Sequence, residues 1–159
     1  MRAKHLVALA VVVAMGAVSA CSWADLRAPD CDVCKRQIHG ATHYRMHLEN
    51  GQVKNTCCAR CGLHYEQEQA EAEVVKREVA DFDSGEFIDA SEAVYVEGSS
   101  VHLCCEAMAA RDRSGGQYAL HWDRCLPSLV AFGTREAAAR FAHEHGGHIT
   151  DFDSLLREQ

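Results

Sequence analysis

Apolar residues recur along this chain with two different periods. From Thr42 to Leu48 they alternate, with Tyr44, Met46 and Leu48 on one side and His43, Arg45 and His47 on the other, which predicts a half-buried strand. Asn50-Gly51 follows, a pair suited to the positive φ angles of a tight hairpin turn, so Val53 to Cys57 is expected to return as the partner strand. From Ala59 to Arg77 the composition becomes rich in Glu, Gln and Ala, with Leu63, Ala70 and Val74 on helical spacing, and a helix is expected there. Val79 to Ile88 reads as extended again.

The second half follows the same plan. Ala93 to Val96 is a strand pattern, Tyr118, Leu120 and Trp122 alternate in another, and Leu129 to Phe132 is a third. Thr134 is placed to cap a helix over Arg135 to His145, whose apolar stripe is Ala138, Phe141 and Ala142. Gly146-Gly147 stops it, and His148 to Phe152 closes the unit as a strand. Asp81-Phe82-Asp83-Ser84 recurs as Asp151-Phe152-Asp153-Ser154. With the shared strand–strand–helix–strand order, this predicts an α+β fold of two tandem ββαβ units, residues 31–89 and 90–159.

The first thirty residues do not fit that plan. Arg2 and Lys4 precede an uncharged apolar run from Leu6 to Ala17, too short for a stable membrane span and characteristic of a signal peptide, here residues 1–20. It ends in Val18-Ser19-Ala20-Cys21, the small-residue pattern before a Cys used in bacterial lipoprotein processing. Cys21 is therefore the expected lipid attachment site, with residues 21–30 as a tether to the membrane. Ser22, rather than Asp, after Cys21 favours a periplasm-facing outer-membrane anchor.

Charge excludes one class of partner. The chain carries 16 basic and 23 acidic residues, with Arg2 and Lys4 of the former in the signal peptide, and the remaining basic residues form no run. Nucleic acid, which demands clustered Lys and Arg, is not an expected partner. No Ser-His-Asp elbow, phosphate loop or paired-carboxylate pattern marks the chain as an enzyme.

The nine cysteines carry the chemistry. Cys31-x-x-Cys34 precedes the first strand, and Cys57-Cys58-x-x-Cys61 lies where the second strand enters a helix. Cys-x-x-Cys lets two sulfurs converge on one ion, and a helix N-terminus favours thiolate over thiol. Cys31, Cys34, Cys58 and Cys61 have the spacing of a four-thiolate zinc site, which leaves Cys57 spare. Disulfide pairing is the other structural reading of so many cysteines in an exported protein. A carrier site instead keeps two or three thiolates within reach of solvent, and soft thiolates and thioethers select Cu(I). The surplus of soft donors favours copper: Cys57, then Cys125 in the second unit, with Cys104, Cys105 and Met108 as additional candidates. His64, three residues after Cys61, is the histidine best placed to join them. A thioredoxin-like thiol–disulfide enzyme is disfavoured because Cys31 lies in tether-like sequence rather than after a strand.

Three segments resemble one known family. Ile88-Asp89-Ala90 with Ala93-Val94-Tyr95-Val96, then Val130-Ala131-Phe132-Gly133-Thr134-Arg135-Glu136-Ala137, then Phe141-Ala142-His143-Glu144-His145-Gly146-Gly147 resemble NosL, the nitrous-oxide-reductase accessory lipoprotein. The resemblance implies two ββαβ units and a Cu(I) carrier that serves assembly of a copper enzyme outside the cytoplasm. It also implies two ligand positions. The Cys of the family's Cys-Gly-Met matches Cys34, with Lys35-Arg36 in place of Gly-Met. The family's Met, seven residues before a Phe, matches Cys125, with Arg124-Cys125-Leu126 where Pro-Met-Gly is expected. The chain looks like a cysteine-enriched member.

The expected function is thus a periplasm-facing lipoprotein that binds Cu(I) through Cys31, Cys34, Cys57, Cys58, Cys61 and Cys125. Its partner would be a copper enzyme or a membrane assembly factor. A zinc- or disulfide-stapled interaction module is the alternative. Cys21→Ala is expected to release the protein from membranes without loss of fold. Retention of that variant through high-salt and carbonate washes, followed by immunoblotting, would remove the lipid anchor.

Overall fold

The computed structural model describes residues 29–68, 71–103, 110–111, 117–118 and 124–157. Tyr44, Met46 and Leu48 all face inward, none more than 2% exposed, while Arg45 and His47 lie on the outer side of strand β1 (Tyr44–Leu48). A turn in which Gly51 has φ 81° returns the chain as β2 (Val53–Thr56), antiparallel to β1 with Tyr44 opposite Thr56. Helix α1 (Ala59–Glu68) starts three residues later. It is followed by β3 (Val74–Ala80), antiparallel to β1 on its other edge, and by β4 (Phe87–Asp89). The first sheet therefore runs β2-β1-β3-β4.

The second half arranges its strands alike. Strand β5 (Val94–Glu97) is central, with β8 (Leu129–Phe132) on one edge and β9 (His148–Asp151) on the other. Between β5 and β8, β6 (Ala110–Arg111) and β7 (Gln117–Tyr118) form a small ribbon. Helix α2 (Arg135–His145) joins β8 to β9, and a short α3 (Phe152–Arg157) follows. The fold is α+β. In each sheet the first strand is flanked by the second and third strands of that sheet, both antiparallel to it.

Three expected elements are different, one of them the extended run expected over Val79 to Ile88, which a turn closed by Gly85 N–H to the Asp81 carbonyl at 2.7 Å splits into β3 and β4. The helix expected over Ala59 to Arg77 ends at Glu68, and its last residues are the start of β3. Helical spacing of Leu63 and Val74 was a weak signal beside the β-branched Val74, Val75 and Val79, which complete the sheet edge opposite Leu48 and Tyr44. The strand expected to end at Phe152 stops at Asp151. The Asp151 carboxylate accepts the Ser154 N–H at 2.8 Å, an N-cap bond that turns the chain into α3 and buries Phe152 and Leu155. Leu120 and Trp122 lie outside the described residues.

The repeated Asp-Phe-Asp-Ser makes the same local bond twice, since Asp81 also accepts from the Ser84 N–H and hydroxyl at 3.2 and 2.6 Å. The two copies are offset in the sheets, however. Tyr44 faces Thr56 and Val79, and Val94 faces Phe132 and Asp151. Asp151 thus occupies the place of Val79, two residues before Asp81.

One apolar core spans both sheets, uniting Tyr44, Met46, Leu63 and Val79 with Tyr95, Leu129, Ala131 and Phe152. The halves are also tied by polar bonds: Phe82 N–H to the Ala131 carbonyl at 2.9 Å, Gly133 N–H to the Asp81 carboxylate at 3.0 Å, and an Arg60–Glu97 ion pair. No helix among the described residues is long and apolar enough to cross a membrane.

Helix α1 lies so close to β1 that only glycine fits at position 62. A Cβ there would overlap the ring of the fully buried Tyr44 and sit 3.3 Å from the Thr56 hydroxyl. Gly62→Ala is expected to destabilise the protein by about 1–3 kcal/mol, or more, through overpacking. Urea denaturation of parent and variant measures it.

Candidate metal centre

Three segments bring cysteines to one place. The first is the loop Cys31-Asp32-Val33-Cys34, closed by Lys35 N–H to the Cys31 carbonyl at 3.0 Å and Cys31 N–H to the Arg36 carbonyl at 2.7 Å. Asp32 fastens it to β2 twice, donating its N–H to the Asn55 carbonyl and accepting the Asn55 N–H on its carboxylate. Lys35 has φ 62°, the left-handed turn conformation that a glycine adopts more readily and that brings the chain around after Cys34. Within the loop, the Cys34 N–H points at the Cys31 sulfur at 3.4 Å, a bond that favours its thiolate.

The second segment is the junction of β2 and α1. Hydroxyls hold its backbone: Thr42 donates to the Cys57 carbonyl at 2.8 Å and Thr56 to the Cys58 carbonyl at 3.0 Å. Cys61 follows in the first turn of α1, whose positive end favours anionic sulfur. The third segment, just before β8, contributes Cys125. Arg60 holds that segment by donating to the Pro127 carbonyl at 2.8 Å.

The sulfurs lie in mutual contact. Cys34 to Cys57 is 3.4 Å, Cys57 to Cys125 is 3.6 Å, Cys61 to Cys125 is 3.4 Å and Cys57 to Cys58 is 4.0 Å. A disulfide needs about 2.05 Å, and none of the six is in a disulfide. Two thiolates on one tetrahedral ion with metal–sulfur bonds near 2.3 Å stand about 3.8 Å apart. The observed separations bracket that spacing, so the donor set fits a thiophilic ion. Two four-sulfur groups result, Cys31-Cys34-Cys57-Cys61 and Cys57-Cys58-Cys61-Cys125, each with all its sulfurs within 4.8 Å of one another.

Burial and charge differ across the cluster. Cys31, Cys57, Cys58, Cys61 and Cys125 are no more than 1% exposed, whereas Cys34 is half-buried. Contact with Cys125 opposes ionisation of Cys34, but hydrogen bonds from Cys31, Cys57 and Cys61 outweigh it and bring the thiol down to about 3. Cys31 is lowered to about 6, because bonds from Cys57 and Cys61 overcome the opposing effect of Cys34. Cys61 is pushed far up by Cys125, Cys31 and Cys34, which compete with it for the same protons. The Arg36 guanidinium also donates to the Cys125 sulfur at 3.7 Å.

The six cysteines nominated from sequence are therefore together, with one change of roles. The zinc-like spacing pairs Cys31 and Cys34 with Cys58 and Cys61 and leaves Cys57 spare. In the structure Cys57 takes that place and belongs to both groups, while Cys58 sits only in the group with Cys125. His64 is in neither group. Three residues on a helix turn about 300°, so His64 is rotated from Cys61 by about 60°. It is half-buried, and its basicity is lowered first by that burial, with Glu68, Arg124 and Arg60 as charged neighbours. Cys21, Cys104, Cys105 and Met108 lie outside the described residues. Sequence reasoning did not single out Arg36 as a contact of Cys125. The signal for it was the substitution of Lys35-Arg36 for the expected Gly-Met.

No protein-family model matches the chain. Among curated proteins, the HTH-type transcriptional repressor CutR of Bacillus subtilis (strain 168) is 23% identical over 128 residues, 80% of this chain and 57% of that protein. The chain thus spans a little over half of that relative's length. Among solved structures, the crystal structure of the copper chaperone NosL from Shewanella denitrificans matches with a TM-score of 0.56 and 21% identity. The match covers 82% of this chain and 92% of that one, so the fold is NosL-like.

In the metal-free reduced protein, Cys34 combines solvent access with a thiol that hydrogen bonds from Cys31, Cys57 and Cys61 hold well below the ordinary range, against the opposing effect of Cys125. Alkylation at pH 6 is expected to label Cys34 first, since ordinary thiols are protonated there. Peptide mass spectrometry after brief iodoacetamide treatment checks this, and first labelling at any of the five buried cysteines contradicts it.

Proposed function

We propose that this chain is an exported carrier of Cu(I), anchored at Cys21, that takes up the ion through its sulfur cluster and passes it to a copper enzyme or a membrane assembly factor. The observation that carries this reading is the cluster itself: six cysteine sulfurs from three chain segments, none in a disulfide, five buried and one reaching solvent. An all-sulfur donor set favours soft metals, and among available first-row ions it favours Cu(I). The NosL-like fold supports the reading, because the matched structure is that of a copper chaperone, and the sequence resemblance implies Cys34 and Cys125 as two ligand positions. The lipid anchor and the outer-membrane placement rest on the leader and on Val18-Ser19-Ala20-Cys21.

The arrangement is suited to ligand exchange. An incoming thiol or thioether from a partner approaches at Cys34 and joins the ion before a resident sulfur leaves. The ion is never bare, and the buried sulfurs keep water away from it. Hydrogen bonds from Cys31, Cys57 and Cys61 lower the Cys34 thiol against the opposing effect of Cys125, which reduces the proton loss that binding there requires.

A structural zinc module is the second reading, favoured by the two Cys-x-x-Cys pairs. Anaerobic competition of the reduced protein against a Cu(I) chelator separates the two. Cu(I) is expected to bind more tightly than Zn(II), and Cys34→Ser or Cys125→Ser to weaken it on the order of 10–100-fold or more. If both variants bind copper like the parent, while Cys31→Ser, Cys58→Ser or Cys61→Ser abolishes folding and zinc content, the zinc module is correct.

A further inference from the structure

The six sulfurs do not make one coordination sphere. Cys31 and Cys34 belong only to the first four-sulfur group, Cys58 and Cys125 only to the second, and Cys57 and Cys61 to both. A single ion takes at most four thiolates in a tetrahedral site, and Cu(I) is content with two or three. One ion therefore leaves two or more sulfurs packed against its ligands with no metal of their own. Two groups joined along a shared Cys57–Cys61 edge have the arrangement in which two ions use every sulfur. Each ion then has two terminal thiolates of its own, and the two shared thiolates bridge.

Charge points the same way. Five of the six sulfurs are excluded from water, and buried negative charge without a compensating cation is strongly unfavourable. One monovalent ion neutralises a single thiolate. The Arg36 guanidinium at the Cys125 sulfur adds one further positive charge at the rim of the second group. A second Cu(I) takes the place of protons that the remaining buried thiols otherwise keep, and it supplies those sulfurs with metal bonds.

We propose that this centre is polynuclear, holding at least two Cu(I) ions bridged by the Cys57 and Cys61 thiolates. The inference rests on reading the cluster as a copper site, and it adds a stoichiometry and an order of release. The ion of the first group has Cys34 as its exposed ligand and leaves first. The ion of the second group is enclosed by Cys57, Cys58, Cys61 and Cys125, all buried, and leaves only after the bridge has opened.

The test is a titration of the full reduced chain with Cu(I) alone, anaerobically and against graded chelator, read by elemental analysis and native mass spectrometry. X-ray absorption at the copper edge then reports any short copper–copper vector. Two or more ions per chain, all-sulfur ligation and a copper–copper vector are expected. Cys57→Ser and Cys61→Ser are expected to lose the vector and to hold one ion at most. Both residues are buried, so folding is checked by circular dichroism, and Cys58→Ser serves as a second variant that keeps the first group intact and loses one ion. One all-sulfur Cu(I) per chain at saturation, with no copper–copper vector in the parent, overturns the polynuclear centre and leaves the carrier reading standing. A folded parent that does not retain Cu(I) against the weakest chelator overturns both.

Discussion

Five sulfurs excluded from water and a sixth at their edge cannot ionise independently. Each thiolate formed makes the next harder to form, and protons are shared instead of lost one by one. That competition explains why Cys34 and Cys31 lie far below the ordinary thiol range while Cys61, in contact with both, lies far above it. A thiophilic cation relieves the competition, because it replaces protons with bonds that several sulfurs satisfy at once. The rest of the structure holds these sulfurs within 4.8 Å of one another in two groups and leaves one of them reachable.

Holding them requires contacts from both halves of the chain. Asp32 locks the Cys31–Cys34 loop to β2, Thr42 and Thr56 fix the carbonyls of Cys57 and Cys58, and Arg60 grips the Pro127 carbonyl beside Cys125. Arg60 also pairs with the buried Glu97 of β5, so the residue that steadies the Cys125 segment is anchored in the second sheet. Gly62 lets α1 approach Tyr44 closely enough to place Cys61 under the loop. The centre is thus distributed over three segments far apart in sequence, and its geometry depends on the shared core more than on any local motif.

That distribution decides what the sequence could reveal. Short-range patterns were legible: the alternation of Tyr44, Met46 and Leu48, the Asn50-Gly51 turn, and the Thr134 cap, whose hydroxyl does accept the Ala137 N–H at 3.2 Å. Family position pointed to Cys34 and Cys125 as ligands, but the contacts of Cys125 with Cys57 and Cys61 were not legible from spacing. The division of labour between Cys57 and Cys58 was not legible, because adjacent residues differ only in the direction in which a backbone turn sends them. The length of α1 was misread for a related reason. Residues after Glu68 have a helix-compatible composition, and only the free edge of β1 makes Val74–Ala80 a strand. His64 was a spacing argument taken one residue short of a full helical turn.

The two halves show how one architecture is put to two uses. Thr56 and Phe132 hold matching places beside the central strands, and a helix begins three residues after each. In the second half the residue immediately before the helix is Thr134, whose side chain satisfies an exposed N–H of the first turn. In the first half the same place is Cys58, preceded by Cys57 where the second half has Gly133. The cap of α2 is a neutral hydroxyl whose work is finished on folding. At α1 that place belongs to sulfur, and the positive end of the helix is directed at a cluster whose anionic form it stabilises. A helix start that carries a capping hydroxyl in one unit carries part of the sulfur cluster in the other.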